Sequence, residues 1–166
     1  MDAGIIVNES INPLYRECAL NKAELLVFEN KQHQTNVQYP VAENWFIMAP
    51  QGSPVIDLWL QEFEKAIDMG FHAYKKQIKR EGVDLQKLMN TPTDVYLTQH
   101  GCFQKVLQQR LPPNSKILYH SAEETMFKIH TDCNWDVKCI QQTLQNTEYC
   151  KTIPYIKLRE ADRKNI

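Results

Sequence analysis

Short apolar runs alternate with amphipathic stretches along this chain of 166 residues. Apolar runs at residues 4–7, 24–29, 44–49 and 116–119 have the length and composition of strands. The stretches between them repeat apolar residues every three or four positions, which is typical of helices packed on one face. This alternation predicts an α/β fold with a thin sheet flanked by helices, not a helical bundle or an all-β protein.

Helix starts are marked by capping residues followed by proline or by an acidic residue three positions on. Asn12 and Pro13 open the first helix, and Ser53 and Pro54 open the next. Further helices are predicted at residues 73–80, after Thr91, after Ser121 and over 135–144. The apolar face of one helix is expected to be core, and it carries Ile56, Trp59, Leu60, Phe63 and Ile67. Another helix carries Tyr96, His100, Phe103, Leu107 and Leu111 on one face.

The first apolar run, Gly-Ile-Ile-Val at residues 4–7, lacks polar alternation. A strand that is apolar on both faces needs neighbouring strands and covering helices on each side. Either later segments of the chain fold back around residues 4–7, or the natural domain continues upstream and this strand belongs to its middle. The second alternative guides the interpretation of the motifs below.

Length and charge narrow the classes of function. The chain has the size of one domain, which we place at residues 1–158, with residues 159–166 as a charged, solvated tail. A formal net charge of −1 from 19 basic and 20 acidic residues disfavours nucleic-acid binding. No apolar run reaches the length of a membrane helix and no signal peptide is evident, so a cytoplasmic location is expected, peripheral to a membrane if the acceptor is lipid-linked.

Five cysteines occur at irregular spacing, without a C-x-x-C pair. The simplest interpretation is reduced thiols in a reducing compartment. Cys133 and Cys139 with His130 leave a zinc-binding module open as an alternative.

Four segments, in order, resemble the glycosyltransferases of the capsular polysaccharide synthesis type. Met1-Asp2-Ala3 followed by a strand is similar to the acidic motif of that family, and residues 44–49 leading to Ser53-Pro54 and a Trp-containing helix resemble a second segment. Asp94-Val95-Tyr96-Leu97 with His100 and the pair Lys157-Leu158 are similar to two more. The resemblance implies a partial GT-A-like fold whose nucleotide-binding strands would precede residue 1.

The chemistry of the family implies roles for several of these residues. Loss of a diphosphate from a nucleotide sugar requires neutralisation of charge, commonly by Mn²⁺ or Mg²⁺ on oxygen ligands. Asp2 matches the acidic position, as a metal ligand and catalytic carboxylate, whereas Gly4 stands where a second carboxylate would strengthen the site. His130 is the candidate second ligand, although a histidine at a helix end can simply interact with the helix dipole.

The remaining candidates each have a structural alternative. His100 is a candidate catalytic base or a buried core histidine. Asn44 and Trp45 are candidate sugar-binding residues, or a turn residue and a core residue. Asp94 is a candidate substrate contact, or a carboxylate that stabilises a first helical turn.

Taken as a resemblance, these motifs imply an enzyme that transfers a sugar from a nucleotide-sugar donor to a glycan or glycolipid acceptor in polysaccharide synthesis. The activity of this chain by itself is left open. The alternative is a non-catalytic α/β interaction protein, or a degenerate relic of a transferase.

Overall fold

A computed structural model describes residues 4–90 and 94–163 and has an α/β architecture. The strands are β1 Ile5–Val7, β2 Leu25–Glu29, β3 Ala42–Met48, β4 Ile117–Ser121 and β5 Tyr155–Lys157. The helices are α1 Asn12–Asn21, α2 Pro54–Met69, α3 Phe71–Arg80, α4 Thr98–Lys105, α5 Lys128–Asp132, α6 Val137–Leu144 and α7 Thr147–Lys151. A π-helical segment, Val106–Arg110, extends α4, and a 3₁₀ turn covers Ala161–Arg163.

The central sheet has three strands in the order β3-β2-β4. β2 runs antiparallel to β3 and parallel to β4, so the sheet is mixed. Residues 25–28 of β2 are almost completely buried, as a continuous apolar run between two covered faces requires. The prediction of strands near residues 24–29, 44–49 and 116–119 is confirmed, and β2 is the middle strand.

β1 differs from its predicted role. It pairs antiparallel with β5 in a separate two-stranded ribbon, and Val7 is 44% exposed. The expectation of a strand buried on both faces inside the main sheet is therefore wrong. β5 is only three residues long and has no clear pattern in the sequence, so the partner of β1 was not predicted.

The start and end of α2 follow the predicted signals. The Ser53 hydroxyl accepts a hydrogen bond from the Ile56 backbone N–H, and Gly70 ends the helix with a φ of +79°. The predicted core face is shifted, however, because Leu60 and Ile67 are more than half exposed.

The buried face of α2 instead carries Val55, Trp59, Glu62 and Ala66. Glu62 accepts hydrogen bonds from Tyr74 and Arg110, at 2.8 and 2.7 Å. These partners allow a carboxylate to lie inside, which a purely apolar pattern cannot anticipate.

α4 begins later than the sequence indicates. Thr91–Thr93, the start of the predicted capping box, lie outside the described residues. Asp94 lies ahead of the helix, where its Oδ1 accepts from the Tyr96 backbone N–H, so its predicted place in a first helical turn is wrong. Tyr96 lies ahead of α4 and is 92% exposed, so it does not share the buried face of His100 and Phe103.

The C-terminal region packs more tightly than predicted. Ser121 accepts from the Glu124 backbone N–H, but this cap closes a turn, and α5 begins only at Lys128. Within the predicted solvated tail, Asp162 is completely buried, which the prediction did not include, whereas Glu160 and Arg163 are exposed. None of the helices within residues 4–90 and 94–163 is long and apolar enough to cross a membrane.

Candidate functional site

A cavity of about 490 Å³ lies at one edge of the central sheet. Three parts of the sequence form its walls: residues 30–45, 96–100 and 127–163. Its lining comprises Asn30, Gln32, His33, Glu43, Asn44, Trp45, Tyr96, Leu97, His100, Phe127, Trp135, Lys157, Leu158, Arg159, Glu160 and Arg163. The volume is sufficient for a small organic ligand.

The topology of the sheet explains where this cavity forms. β2 and β4 are parallel, so their C-terminal ends reach the same edge, where Asn30 follows β2 and Phe127 lies shortly after β4. β3 is antiparallel and starts at this edge. Glu43 and Trp45, two positions apart on β3, therefore project from one face of that strand into the cavity wall.

Aromatic rings form an apolar part of the wall. Trp45 and Phe127 meet edge to face at a centroid distance of 5.5 Å, and Phe127 lies 5.3 Å from Trp135. Phe28 stacks behind Trp45 at 5.4 Å and holds it from the sheet side. The rings are thereby fixed by mutual packing.

A chain of hydrogen bonds runs through the wall beside these rings. The Asn30 side-chain amide donates to Glu43 Oε1 at 2.5 Å, and His100 Nε2 lies 3.2 Å from Glu43 Oε2. All three residues are buried, and they come from the end of β2, from β3 and from α4. Three separate elements thus hold one carboxylate and one imidazole in a fixed arrangement.

Glu43 is held in its ionised form. Burial raises the pKa of its carboxyl group. The hydrogen bond with His100, the charge of that imidazole when it is protonated, and the hydrogen bond from the Asn30 amide together outweigh burial and leave the pKa below its usual value. An ionised Glu43 accepts hydrogen bonds at both oxygens and donates none.

Two polar atoms of this site have no hydrogen-bond partner in the described part of the chain. They are Trp45 Nε1 and His100 Nδ1, and both atoms are buried. A buried polar atom without a partner costs about 1–3 kcal/mol. Both residues line the cavity, so this cost falls in the cavity wall.

A second buried network supports the C-terminal wall. His130 Nε2 lies 2.7 Å from Asp162 Oδ2, and both side chains are fully buried. Asp162 also accepts from the backbone N–H and the guanidinium group of Arg159. The Arg159 guanidinium lies over Trp135 at 5.0 Å, in a cation–π contact. The network therefore fixes Arg159 and Trp135, two residues of the cavity lining.

Charge states within this network follow from the same contacts. Burial lowers the pKa of His130 more than Asp162 raises it, which favours the neutral imidazole. Burial raises the pKa of Asp162, but the hydrogen bonds from Arg159 and His130 lower it by a larger amount, so the carboxylate is favoured. Neutral His130 thus donates from Nε2 to ionised Asp162.

The free energy of unfolding is expected to fall as the pH is lowered below about 6.5, the ordinary histidine value. In the folded protein the pKa of His130 lies below that value, so the unfolded chain takes up its proton first and is stabilised. Asp162 acts in the same direction at lower pH, because its depressed pKa stabilises the fold only while the carboxylate is ionised. A difference of one unit between the pKa values in the folded and unfolded states corresponds to about 1.4 kcal/mol in the free energy of unfolding.

Urea titrations at a series of pH values from about 8 to about 4 would measure this fall in the free energy of unfolding. His130→Asn should flatten the part of the profile near pH 6. A free energy of unfolding of the wild-type protein that rises as the pH is lowered would contradict the assignment of neutral His130.

Cys133 and Cys139 form a disulfide, whereas Cys18, Cys102 and Cys150 are free and buried. The expectation of five reduced thiols is therefore wrong for this pair. The bond also removes the thiolates that the zinc alternative requires. It closes a short loop containing Asn134 and Trp135, which both have positive φ angles, of 48° and 61°.

Replacing Cys133 and Cys139 together with serine is expected to lower the free energy of unfolding by about 2 kcal/mol, the loop-closure term for so short a loop. Chemical denaturation with and without a reductant would measure the effect. The reductant should destabilise the wild-type protein and leave the double variant unchanged. Equal stability of both proteins under oxidising conditions would contradict this expectation.

The structure brings together some of the predicted site residues. Asn44, Trp45 and His100 line the one cavity, and the Asn44 side-chain amide donates to Gln99. Asp94 is not part of the described lining. His130 lies behind the wall, against Phe127 and Trp135 at ring distances of 5.0 and 5.2 Å, and not at the helix surface.

Asp2, the predicted metal ligand, lies outside the described residues. Gly4, two positions later, accepts a hydrogen bond from the Leu158 backbone N–H at the cavity edge. Within residues 4–90 and 94–163 no group of three His, Cys, Asp or Glu side chains could hold a metal ion. His130 has Nε2 engaged by Asp162, so the described residues do not form a metal site by themselves, and the cation stays a prediction.

Sequence reasoning missed Asn30, Glu43, Arg159 and Asp162. Glu43 carries a usable signal, because a carboxylate inside an apolar strand must find a partner if it is buried. Asn30 follows the most apolar strand, where polar residues of α/β sheets often reach a site. Arg159 and Asp162 have no such signal, since they lie in a stretch whose composition is that of a solvated tail.

Comparisons of the chain with protein-family models, with curated proteins and with solved structures find no match.

Proposed function

We propose that the cavity is the sugar-transfer site of a nucleotide-sugar-dependent glycosyltransferase with a GT-A-like arrangement. The acceptor in this proposal is a glycan or glycolipid, in polysaccharide synthesis. One observation carries it: three segments of the resemblance, represented by Asn44 and Trp45, by Leu97 and His100, and by Lys157, line the same cavity although they are far apart in sequence.

The chemistry of the wall supports this proposal. Trp45 and Trp135 offer aromatic surface against which the apolar face of a sugar can stack. Arg159 and Arg163 add cationic groups to the lining, which suit the negative charge that develops on a departing diphosphate.

In this proposal His100 is the catalytic base. Its Nδ1 accepts the proton of the acceptor hydroxyl while that oxygen bonds to the anomeric carbon. The bond from the anomeric carbon to the diphosphate breaks, and its electron pair leaves with the nucleoside diphosphate. A divalent cation, Mn²⁺ or Mg²⁺, would supply charge neutralisation at the diphosphate when bound, with Asp2 as its expected ligand.

A panel of nucleotide sugars tests the proposal. Purified protein with Mn²⁺ should bind at least one donor in calorimetry and release its nucleoside diphosphate when a glycan acceptor is added. Asp2→Asn is expected to weaken donor binding in the presence of Mn²⁺ by about tenfold or more, the scale on which metal sites respond to altered ligands.

Asp68→Asn is the matched control, since Asp68 is an exposed carboxylate on α2. It should bind the donor as the wild-type protein does. Absence of donor binding in all three proteins would contradict the proposal and favour the non-catalytic interaction protein.

A further inference from the structure

We propose that Trp45 and His100 form a hydroxyl-binding subsite, and that Glu43 sets its polarity by fixing which nitrogen of His100 carries the hydrogen. The inference rests on the proposed function only in assigning a sugar to this cavity. The polarity is set by the direction of the hydrogen bonds that run inward from Asn30.

The orientation of the Asn30 amide is determined by the backbone. Its Oδ1 lies 3.0 Å from the backbone nitrogen of Gln32 and 3.3 Å from that of His33. Backbone N–H groups only donate, so the atom facing them must be the amide oxygen. The NH₂ group of Asn30 is then the part that faces Glu43, and it donates to Glu43 Oε1.

The orientation of hydrogens continues through Glu43 to the imidazole. The Glu43 carboxylate accepts from Asn30 at one oxygen and has only acceptor capacity at the other. His100 Nε2, 3.2 Å from that second oxygen, must therefore carry the hydrogen. In the neutral imidazole the hydrogen is absent from Nδ1, which is left as an acceptor.

Trp45 and His100 thus place buried polar atoms of opposite polarity in the wall of the same cavity. The indole Nε1–H only donates and His100 Nδ1 accepts, and neither atom has a partner in the described part of the chain. Hydroxyl groups can accept from the first and donate to the second. A carboxylate or phosphate only accepts, and an ammonium group only donates, so a polyhydroxylated ligand fits this pair best.

The tautomer of His100 tests the role of Glu43. Nitrogen NMR of the protein labelled with ¹⁵N-histidine, at a pH where the imidazole is neutral, should show the hydrogen on Nε2. In Glu43→Gln the amide oxygen must face the Asn30 NH₂, so the new NH₂ group faces His100 and the hydrogen is expected to move to Nδ1. Glu160→Gln, which removes a carboxylate from the same cavity, should leave the tautomer unchanged.

A wild-type His100 with its hydrogen on Nδ1 would overturn the inference. So would a Glu43→Gln protein that keeps the wild-type tautomer. Both readouts are independent of stability, because an interaction that only supported the fold would not move the hydrogen between the ring nitrogens.

Binding is tested with the methyl glycosides of glucose, galactose and mannose as probes. At least one should shift the Trp45 Nε1 and His100 Nδ1 resonances together and saturably. Trp45→Phe is expected to weaken that binding by about tenfold, as the loss of one hydrogen bond. Shifts at neither resonance, or equal shifts caused by acetate and inorganic phosphate, would overturn the subsite.

The two proposals can fail separately. Methyl glycosides that shift both resonances in a protein without nucleotide-sugar binding would leave the subsite standing and remove the transferase. Sugar transfer without a response at either resonance would support the transferase and remove the subsite.

Discussion

Asp162→Ala is expected to lower the free energy of unfolding by about 1–3 kcal/mol for each buried donor that is left without an acceptor. Asp162 is fully buried and accepts hydrogen bonds from His130 and Arg159. Without it the His130 Nε2–H and the Arg159 backbone N–H lose their acceptor in a region that water does not reach. Chemical denaturation would measure the change.

Asp132→Ala is the matched control. Asp132 pairs with Lys128 on one face of α5, and both side chains are more than 40% exposed. Its removal should cost less than about 1 kcal/mol, as for other exposed pairs. Equal losses in the two variants would show that the buried network contributes no more than a surface contact.

His100→Ala is expected to reduce the rate of sugar transfer by about 10²- to 10⁴-fold, the usual contribution of a positioned base. The expectation depends on the proposed function. The decrease should appear in kcat at saturating donor, since the donor is expected to contact other parts of the cavity. Transfer rates under these conditions would measure it, with thermal melting to establish that the variant is folded.

His72→Ala provides the comparison, because His72 is an exposed imidazole on α3. It should retain full activity. A His100→Ala protein with wild-type kcat would rule out the base and would leave His100 as a buried partner of Glu43.

The predictable parts of the fold are those determined by local chemistry. β2 was predicted because an unbroken apolar run can be satisfied only between two covered faces. The ends of α2 were predicted because Ser53 and Gly70 satisfy backbone groups with their own local geometry. Such signals act over a few residues and are readable without knowledge of the rest of the chain.

The parts that could not be predicted depend on distant partners. The shifted face of α2 depends on Glu62, whose burial requires Tyr74 and Arg110. The pairing of β1 with β5 joins positions about 150 residues apart. Neither has a local signal, because the stabilising contact is made by another segment.

The same distinction between local signals and distant contacts applies to the candidate site. Asn44, Trp45 and His100 were singled out by motif resemblance, and all three line the cavity. Glu43, which orients His100, and Asp162, which fixes Arg159, act through contacts with other side chains. Sequence motifs thus indicated residues that face the cavity and missed the residues behind them.

The wall formed by residues 157–163 has a consequence for how this protein can be handled. β5 holds β1 at the opposite end of the sequence, and the segment after it contributes Arg159 and Arg163 to the cavity. Removing the last eight residues would take away a side of the cavity and the acceptor of buried His130 together. A shortened protein would therefore be a poor test of activity, and affinity tags are better joined through a flexible linker than placed directly after the 3₁₀ turn.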